Sequence, residues 1–378
     1  MVAVLAFGVS VAALARRWEA SIPRSEAMDL VVQPSKPAGP ADAAAGRDLN
    51  VLLLGSDSRE GENGQIGGDA VGQRSDTTIV MHVSAGRDRV ELVSVPRDSL
   101  VDIPACQMAD GSTTRPRTGA MVNEAFAIGW DHGGTTDDER RDSAIACAVS
   151  TVQASTGLTI DHFVVVDFVG FQSMVDALGG VDICIDQDLK DPRYTGLDLR
   201  AGYQRLDGTQ ALQLARARHV DGGDGMDPSR IGRQQQLLAA LVAEALSKNM
   251  TTDWARLLGF VDRTKDSLLI DKKLDPGSLA WALRSVRTDD IVLTTIPWQL
   301  YPQNVNRVVW TSEADAVWAA MATDTPVVDA LHPADQSPPA ADGSPGPSQT
   351  TPPEPAPALP EQATSVGGQM RQATVCPA

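Results

Sequence analysis

The chain has 378 residues, 42% of them hydrophobic, and a formal net charge of −17. That length and apolar fraction suit one large or two small globular domains and exclude a chain disordered throughout. The acidic balance excludes a nucleic-acid binder, which needs a broad basic face, and lysine is scarce enough that any anion site must be built from arginine forks.

Val2–Leu14 is an uncharged apolar run followed at once by Arg16 and Arg17. It is shorter than the ~20 residues that span a bilayer as a helix. The reading is an N-terminal membrane anchor over residues 1–16 whose start lies upstream, with a buried helix or a cleaved signal as alternatives. The arginine pair alone favours a body on the cytoplasmic side. Residues 17–48, rich in Pro, Ala and Ser, read as a spacer, and the folded domain is expected over residues 49–325.

Leu49–Leu54 is a continuous apolar run of the kind that forms a strand buried on both faces. It ends in Gly55-Ser56-Asp57-Ser58-Arg59, and the Gly-rich stretch from Glu60 to Gly72 reads as a loop. Thr77–Val83 and Arg89–Val95 are rich in β-branched residues and flank the turn-forming Ala85-Gly86-Arg87-Asp88, so they pair antiparallel with Asp76 opposite Pro96 and Arg97. Arg74, Asp76, Arg97 and Asp98 then share one rim. Two arginines beside two aspartates suit a phosphate ester with a divalent metal; a pair of surface salt bridges is the alternative. If the first strand runs parallel to Arg89–Val95, Asp57 falls at the same carboxyl edge. Asp57 and Asp76 can then share a magnesium ion, with manganese as the alternative, leaving Asp98 as a candidate base.

Cys106 follows the hairpin, and Cys147 lies on a helix expected over Arg140–Ser155, where Ala144, Ile145, Ala148, Val149 and Val152 form one apolar face. A disulfide between them would staple a Gly/Thr/Arg-rich loop to the body; two free thiols in a reducing compartment are the alternative. Cys184 reads as a small buried hydrophobe, and Cys376 has no assignable role. His162–Val166, a helix over Val169–Leu178 stopped by Gly179-Gly180, and Val181–Ile185 form a strand-helix-strand unit, which implies parallel pairing.

Downstream, Asp207-Gly208 opens a short helix over Thr209–Leu214, followed by Arg216-Ala217-Arg218-His219 and a polar loop from Val220 to Pro228. A long helix runs from Arg230 to about Lys248. If Arg216 and Arg218 are extended they point to one face, and Arg230 and Gln234 sit one helical turn apart. Guanidinium groups converging there suit a pyrophosphate; a solvated basic segment paired with Asp221, Asp224 and Asp227 is the alternative. Helices are also expected over Thr252–Phe260 and Pro276–Val286, and a strand over Ile291–Ile296. Residues 326–378 read as a Pro/Ala-rich disordered tail.

Taken in order, Val51–Arg59, Arg74-Ser75-Asp76-Thr77, Ser94–Ser99, Asn123-Glu124-Ala125-Phe126, Val175–Val181, Leu206-Asp207-Gly208, Arg216–His219 and Arg230–Gln235 resemble the LytR-CpsA-Psr family of cell-wall glycopolymer ligases. The resemblance covers roughly residues 50–248. It implies a three-layer α-β-α fold around a central mixed β-sheet. It also implies a membrane-anchored, single-pass, extracytoplasmic enzyme that moves an anionic glycopolymer from a polyprenyl-pyrophosphate carrier to a peptidoglycan hydroxyl, forming a phosphodiester. By the same resemblance Asp57 and Asp76 match the magnesium positions. Arg97, Arg216, Arg218, Arg230 and Gln234 match the pyrophosphate grip with Arg74 as helper, and the lipid tail takes an apolar pocket between sheet and helices. Extracytoplasmic placement favours the Cys106–Cys147 disulfide. The lysine and isoleucine often found before the asparagine are Met121 and Val122 here. Two rival readings keep parts of this picture: a polyprenyl pyrophosphate hydrolase using the same site with water as acceptor, and a non-catalytic lipid-binding wall scaffold.

Overall fold

In a computed structural model the protein is described over residues 21–33, 46–56, 75–217, 220, 227–247, 264, 268–331 and 364–365. In chain order the strands are β1 (Arg24–Ser25), β2 (Leu49–Ser56), β3 (Ser75–Val83), β4 (Val90–Val95), β5 (Leu100–Ile103), β6 (Arg117–Met121), β7 (His162–Val166), β8 (Val181–Ile185), β9 (Leu189–Asp191), β10 (Leu197–Leu199), β11 (Gly202–Leu206), β12 (Leu268–Asp271), β13 (Ile291–Thr295), β14 (Trp298–Tyr301), β15 (Asn304–Trp310) and β16 (Thr364–Ser365). The helices are α1 (Glu124–His132), α2 (Asp137–Thr156), α3 (Phe168–Leu178), α4 (Gly208–Arg216), α5 (Asp227–Ser247), α6 (Pro276–Ala282), α7 (Ser312–Ala322) and α8 (Val327–Leu331).

The central sheet runs β1-β12-β7-β2-β3-β4-β13-β16 and is mixed. β3 is antiparallel to both β2 and β4, so β2 and β4 run the same way and deliver their carboxyl ends to one edge. Successive strand side chains point to opposite faces, and that alternation splits the core. Leu52, Leu54, Val80, Val93 and Val95 pack against Phe126, Ile145, Val149, Val152, Trp318 and Met321 from α1, α2 and α7. Leu49, Ile79, Val83, Val90, Leu92 and Leu293 face the other way, toward Ala239, Ala243 and Ala282 from α5 and α6. A third cluster joins α3, α4 and α5 to β8–β11. The three-layer α-β-α arrangement with a mixed sheet is therefore present as expected.

The β3–β4 hairpin has the anticipated register, with Thr78 opposite Val95 and Val83 opposite Val90. Its left-handed residue is Arg87 (φ 57°) rather than Gly86. Cys106 and Cys147 are joined, with their Cα atoms 5.1 Å apart. The bond closes a loop across a sequence separation of 41, which the chain-entropy model values at roughly 3–4 kcal/mol. Cys184 is buried in β8 and is itself disulfide-bonded, its partner lying outside the described residues.

Three expectations need correction. β8 does not pair parallel with β7: it pairs antiparallel with β11, and β12 takes the place beside β7. Gly179 and Gly180 both adopt positive φ (80° and 93°), turning the chain away from the sheet after α3. Residues 21–33, placed in the spacer, belong to the fold: β1 pairs with β12, and Ala27, Met28 and Val31 join the core. Order also extends past Thr325, because α8 follows and the Val327 backbone N–H donates to Glu91 Oε1 at 2.7 Å.

The anchor expected over residues 1–16, the loop 60–72 and the helix over Thr252–Phe260 lie outside the described residues. Among the described residues no helix is long and apolar enough to cross a membrane.

Candidate functional site

The carboxyl edge of β2 and β4 is where the charged motifs meet. Gly55 sits in close approach there: a Cβ would lie 3.0 Å from that of Thr77 across the strand pair. Ser56 and Ser75 are register partners, so Asp76, the residue after Ser75, lies at this end of the strand pair. Arg97, just past β4, donates from Nη1 to Asp76 Oδ1 at 3.0 Å and from Nε to Asp98 Oδ2 at 3.2 Å. The side chains of Arg97, Asp76 and Asp98 are 16%, 23% and 12% exposed, so the triad is largely withdrawn from bulk water while still opening to one side.

The second group of motifs arrives by helix packing. Asp176, near the end of α3, accepts from the Gly208 N–H at 2.8 Å, and a Cβ at Gly208 would lie 2.3 Å from the Gln172 carbonyl oxygen. Asp207 caps α4, its carboxylate accepting from the Gln210 N–H at 2.8 Å. The Val175–Val181 and Leu206–Gly208 motifs therefore dock on one another and fix the axis of α4. Arg216 ends that helix, where a cation suits the macrodipole. Arg216, which would point with Arg218 to one face if both were extended, is thus helical, and Ala217 (φ −62°, ψ 118°) turns extended. The guanidinium carbon of Arg216 lies 4.4 Å from the centroid of the Phe168 ring.

Three successive glutamines of α5 act as struts. Gln234 donates to the Ala215 carbonyl at 3.0 Å, Gln235 to Thr295 Oγ1 at 2.6 Å, and Gln236 to the Cys184 carbonyl at 2.7 Å. They tie α5 to α4, β13 and β8. Arg233 adds a bond to the Ala217 carbonyl at 3.2 Å. Gln234, expected in the pyrophosphate grip, does line the site, but in this structure one of its amide hydrogens secures the end of α4.

Between the sheet and α3, α4 and α5 lies a cavity of about 270 Å³. Its mouth carries Ser56, Asp76, Arg97, Asp167, Arg216 and Gln234, and its walls include Leu53, Ile79, Leu293, Phe171, Met174 and Leu238. Asp167 stays at the mouth because it caps α3, accepting from the Gly170 N–H at 2.7 Å. The first strand, the hairpin, the Arg216 segment and the long helix thus reach one cavity from four separate parts of the chain. Asp57, Arg74 and Arg218 lie outside the described residues, as does the side chain of Arg230 on α5. Sequence reasoning missed Phe168, Asp167 and the strut roles of Gln235 and Gln236. An apolar residue directly after a helix-capping aspartate was the available signal for the first two.

The LytR_cpsA_psr family model matches residues 16–323. The chain belongs to the LytR-CpsA-Psr family. Its relatives include the cell wall biosynthesis protein LcpA of Corynebacterium glutamicum, 30% identical over 265 residues, which are 67% of this chain and 51% of LcpA. Another is the polyisoprenyl-teichoic acid–peptidoglycan teichoic acid transferase TagU of Oceanobacillus iheyensis, 30% identical over 59% of this chain and 60% of TagU. The chain spans about half the length of LcpA and of its relative LcpB, 51% and 54% respectively. Among solved structures, TagT of B. subtilis superposes with a TM-score of 0.52 at 19% identity, covering 80% of this chain and 98% of TagT. The LytR-Csp2A-Psr enzyme of Actinomyces oris superposes at 0.51 with 18% identity, covering 80% of this chain and 96% of that one. These likenesses carry the LytR-CpsA-Psr fold.

The donor set at the mouth suits a hard divalent cation. Asp76 offers carboxylate oxygen there, and Asp57 directly follows Ser56 on the cavity rim. Among the described residues no group of three or more His, Cys, Asp or Glu gathers as a metal cluster.

Proposed function

We propose that this protein is a phosphotransferase that moves an anionic glycopolymer from a polyprenyl-pyrophosphate carrier to a peptidoglycan hydroxyl. One observation carries the reading: a mouth holding Arg97, Asp76, Arg216 and Gln234 opens directly onto an apolar cavity. A diphosphate fits guanidinium forks, which grip phosphate oxygens bidentately. A prenyl chain fits the leucine, phenylalanine and methionine walls, where its burial is favourable by about 0.8 kcal/mol per methylene. The name of the TagU relative joins the same two chemistries, a polyisoprenyl carrier and a peptidoglycan acceptor.

In the reaction the acceptor hydroxyl oxygen bonds to the glycan-linked phosphorus. The bond from that phosphorus to the bridging oxygen breaks, and polyprenyl phosphate leaves. Arg97 and Arg216, with Arg74, Arg218 and Arg230 joining them, bind the diphosphate and neutralise charge on the bridging and leaving oxygens, a positioning and electrostatic mechanism. Asp98, held by Arg97 Nε, accepts the hydroxyl proton. Magnesium, or manganese in its place, held by Asp57 and Asp76, supplies further charge neutralisation when bound. The donor's lipid and the apolar sequence run at Val2–Leu14 support work at a membrane, and the Cys106–Cys147 disulfide suits its outer, oxidising side.

Incubating the protein with a lipid-linked glycan, with and without peptidoglycan, tests the reading. Glycan should become attached to the wall polymer only when peptidoglycan is present. Glycan released from its carrier at the same rate in both reactions makes the protein a hydrolase, and tight binding without turnover makes it a scaffold.

A further inference from the structure

The backbone on each side of Arg216 is tied to α5: the Ala215 carbonyl accepts from Gln234 Nε2 and the Ala217 carbonyl from Arg233 Nη2. These bonds fix where the side chain starts, and Phe168 adds a contact at its far end. Its ring centroid lies 4.4 Å from the Arg216 guanidinium carbon, within the range of a cation–π contact. Phe168 is itself held, being the first residue of α3 directly after the Asp167 cap, and is 7% exposed. It also lines the apolar cavity beside Phe171 and Met174. The same ring therefore touches the charged mouth and the greasy interior.

We propose that Phe168 is a positioning residue for the donor, holding the Arg216 guanidinium at the cavity mouth so that diphosphate and prenyl tail are gripped as one ligand. Stacking engages the guanidinium through its face, while the N–H groups that bond phosphate oxygens lie in its plane. An arginine already fixed in its bound orientation loses less rotamer entropy when the ligand arrives, and that saving appears as affinity. The inference deepens the proposed function and rests on it.

The experiment is a binding titration of farnesyl pyrophosphate to the full chain, using Phe168→Leu, Phe168→Tyr, Arg216→Gln and the Phe168→Leu/Arg216→Gln double variant. Phe168→Leu should weaken binding roughly three- to tenfold, the scale of a partly desolvated cation–π contact. Phe168→Tyr, which keeps the ring face, should restore wild-type affinity. In the Arg216→Gln background the Phe168→Leu change should cost less than about twofold, because the two residues act through one contact. Phe168→Met, long and apolar without a ring, replaces Phe168→Leu should the leucine variant melt early. Unchanged affinity in Phe168→Leu overturns the inference. So does an equal penalty with and without Arg216, which would make Phe168 a cavity wall alone. Wild-type protein that binds no farnesyl pyrophosphate instead removes the donor assignment on which the inference rests.

Discussion

Arg97, at the cavity mouth, holds two carboxylates at once, Asp76 at 3.0 Å and Asp98 at 3.2 Å, and so sets the orientation of both. Replacing it with alanine should lower transfer by roughly a hundredfold or more, since a guanidinium aimed at developing phosphate charge is a main source of stabilisation in such sites. The melting temperature should change little, because the bonds to Asp76 and Asp98 stay at the end of the β3–β4 hairpin. Transfer rates beside a melting curve check this, and undiminished transfer would remove Arg97 from the site. A different residue governs pH behaviour. Burial pushes the Glu91 carboxyl above its usual range, against the opposing pull of the Val327 N–H, Arg89 and His82. The folded state thus holds that proton more tightly than the unfolded one. Its stabilising effect is complete below the ordinary carboxylate pKa and is lost as pH rises through the folded value. The neighbouring Asp324 is also pushed up by burial, yet bonds from the Ala85 N–H, His82 and Arg89 bring it down overall, so it loses stabilisation only in acid. Glu91→Gln should therefore melt higher than the wild type by a margin that widens as pH rises above the ordinary glutamate range. A margin constant with pH would clear Glu91 of that role.

The hairpin of β3 and β4 was readable because β-branched runs and a turn of fixed length determine register, and register determined that Asp76 meets Arg97. The capping aspartates of α3 and α4 were equally legible in principle, since Asp167 and Asp207 each precede an apolar helix. The pairing of β8 was not. An apolar strand after a helix suits either a parallel neighbour or a separate ribbon, and the choice was made by β11 and β12, two short strands with little signal of their own. The cation–π contact was invisible for the same reason: Phe168 and Arg216 lie on different helices whose crossing depends on the tight fit at Gly208. The α3 helix also offers a test of the cavity. Met174 lines it from that helix, and Met174→Trp should fill part of the space and weaken farnesyl pyrophosphate binding by roughly tenfold, with inorganic pyrophosphate bound as before. Equal weakening of both ligands would show a damaged mouth rather than a filled interior.

Among the described residues the sheet carries a helical layer on each face, and a cavity opens on one of them. On the first side α1, α2 and α7 close over Phe126, Ile145 and Trp318, and the Cys106–Cys147 bond locks a loop to α2. On the second, α3, α4 and α5 leave about 270 Å³ open and bring the arginine motifs to its mouth. Family membership and the three-layer plan were legible because ordered motifs survive along the chain. The meeting of those motifs at one apolar cavity is a property of packing, which no single segment records. The most direct test is a crystal structure of the protein with farnesyl pyrophosphate. The account predicts the diphosphate against Arg97 and Arg216, with the prenyl chain running past Phe168 and Met174 into the cavity. A diphosphate bound elsewhere, or a tail lying outside an empty cavity, would contradict it.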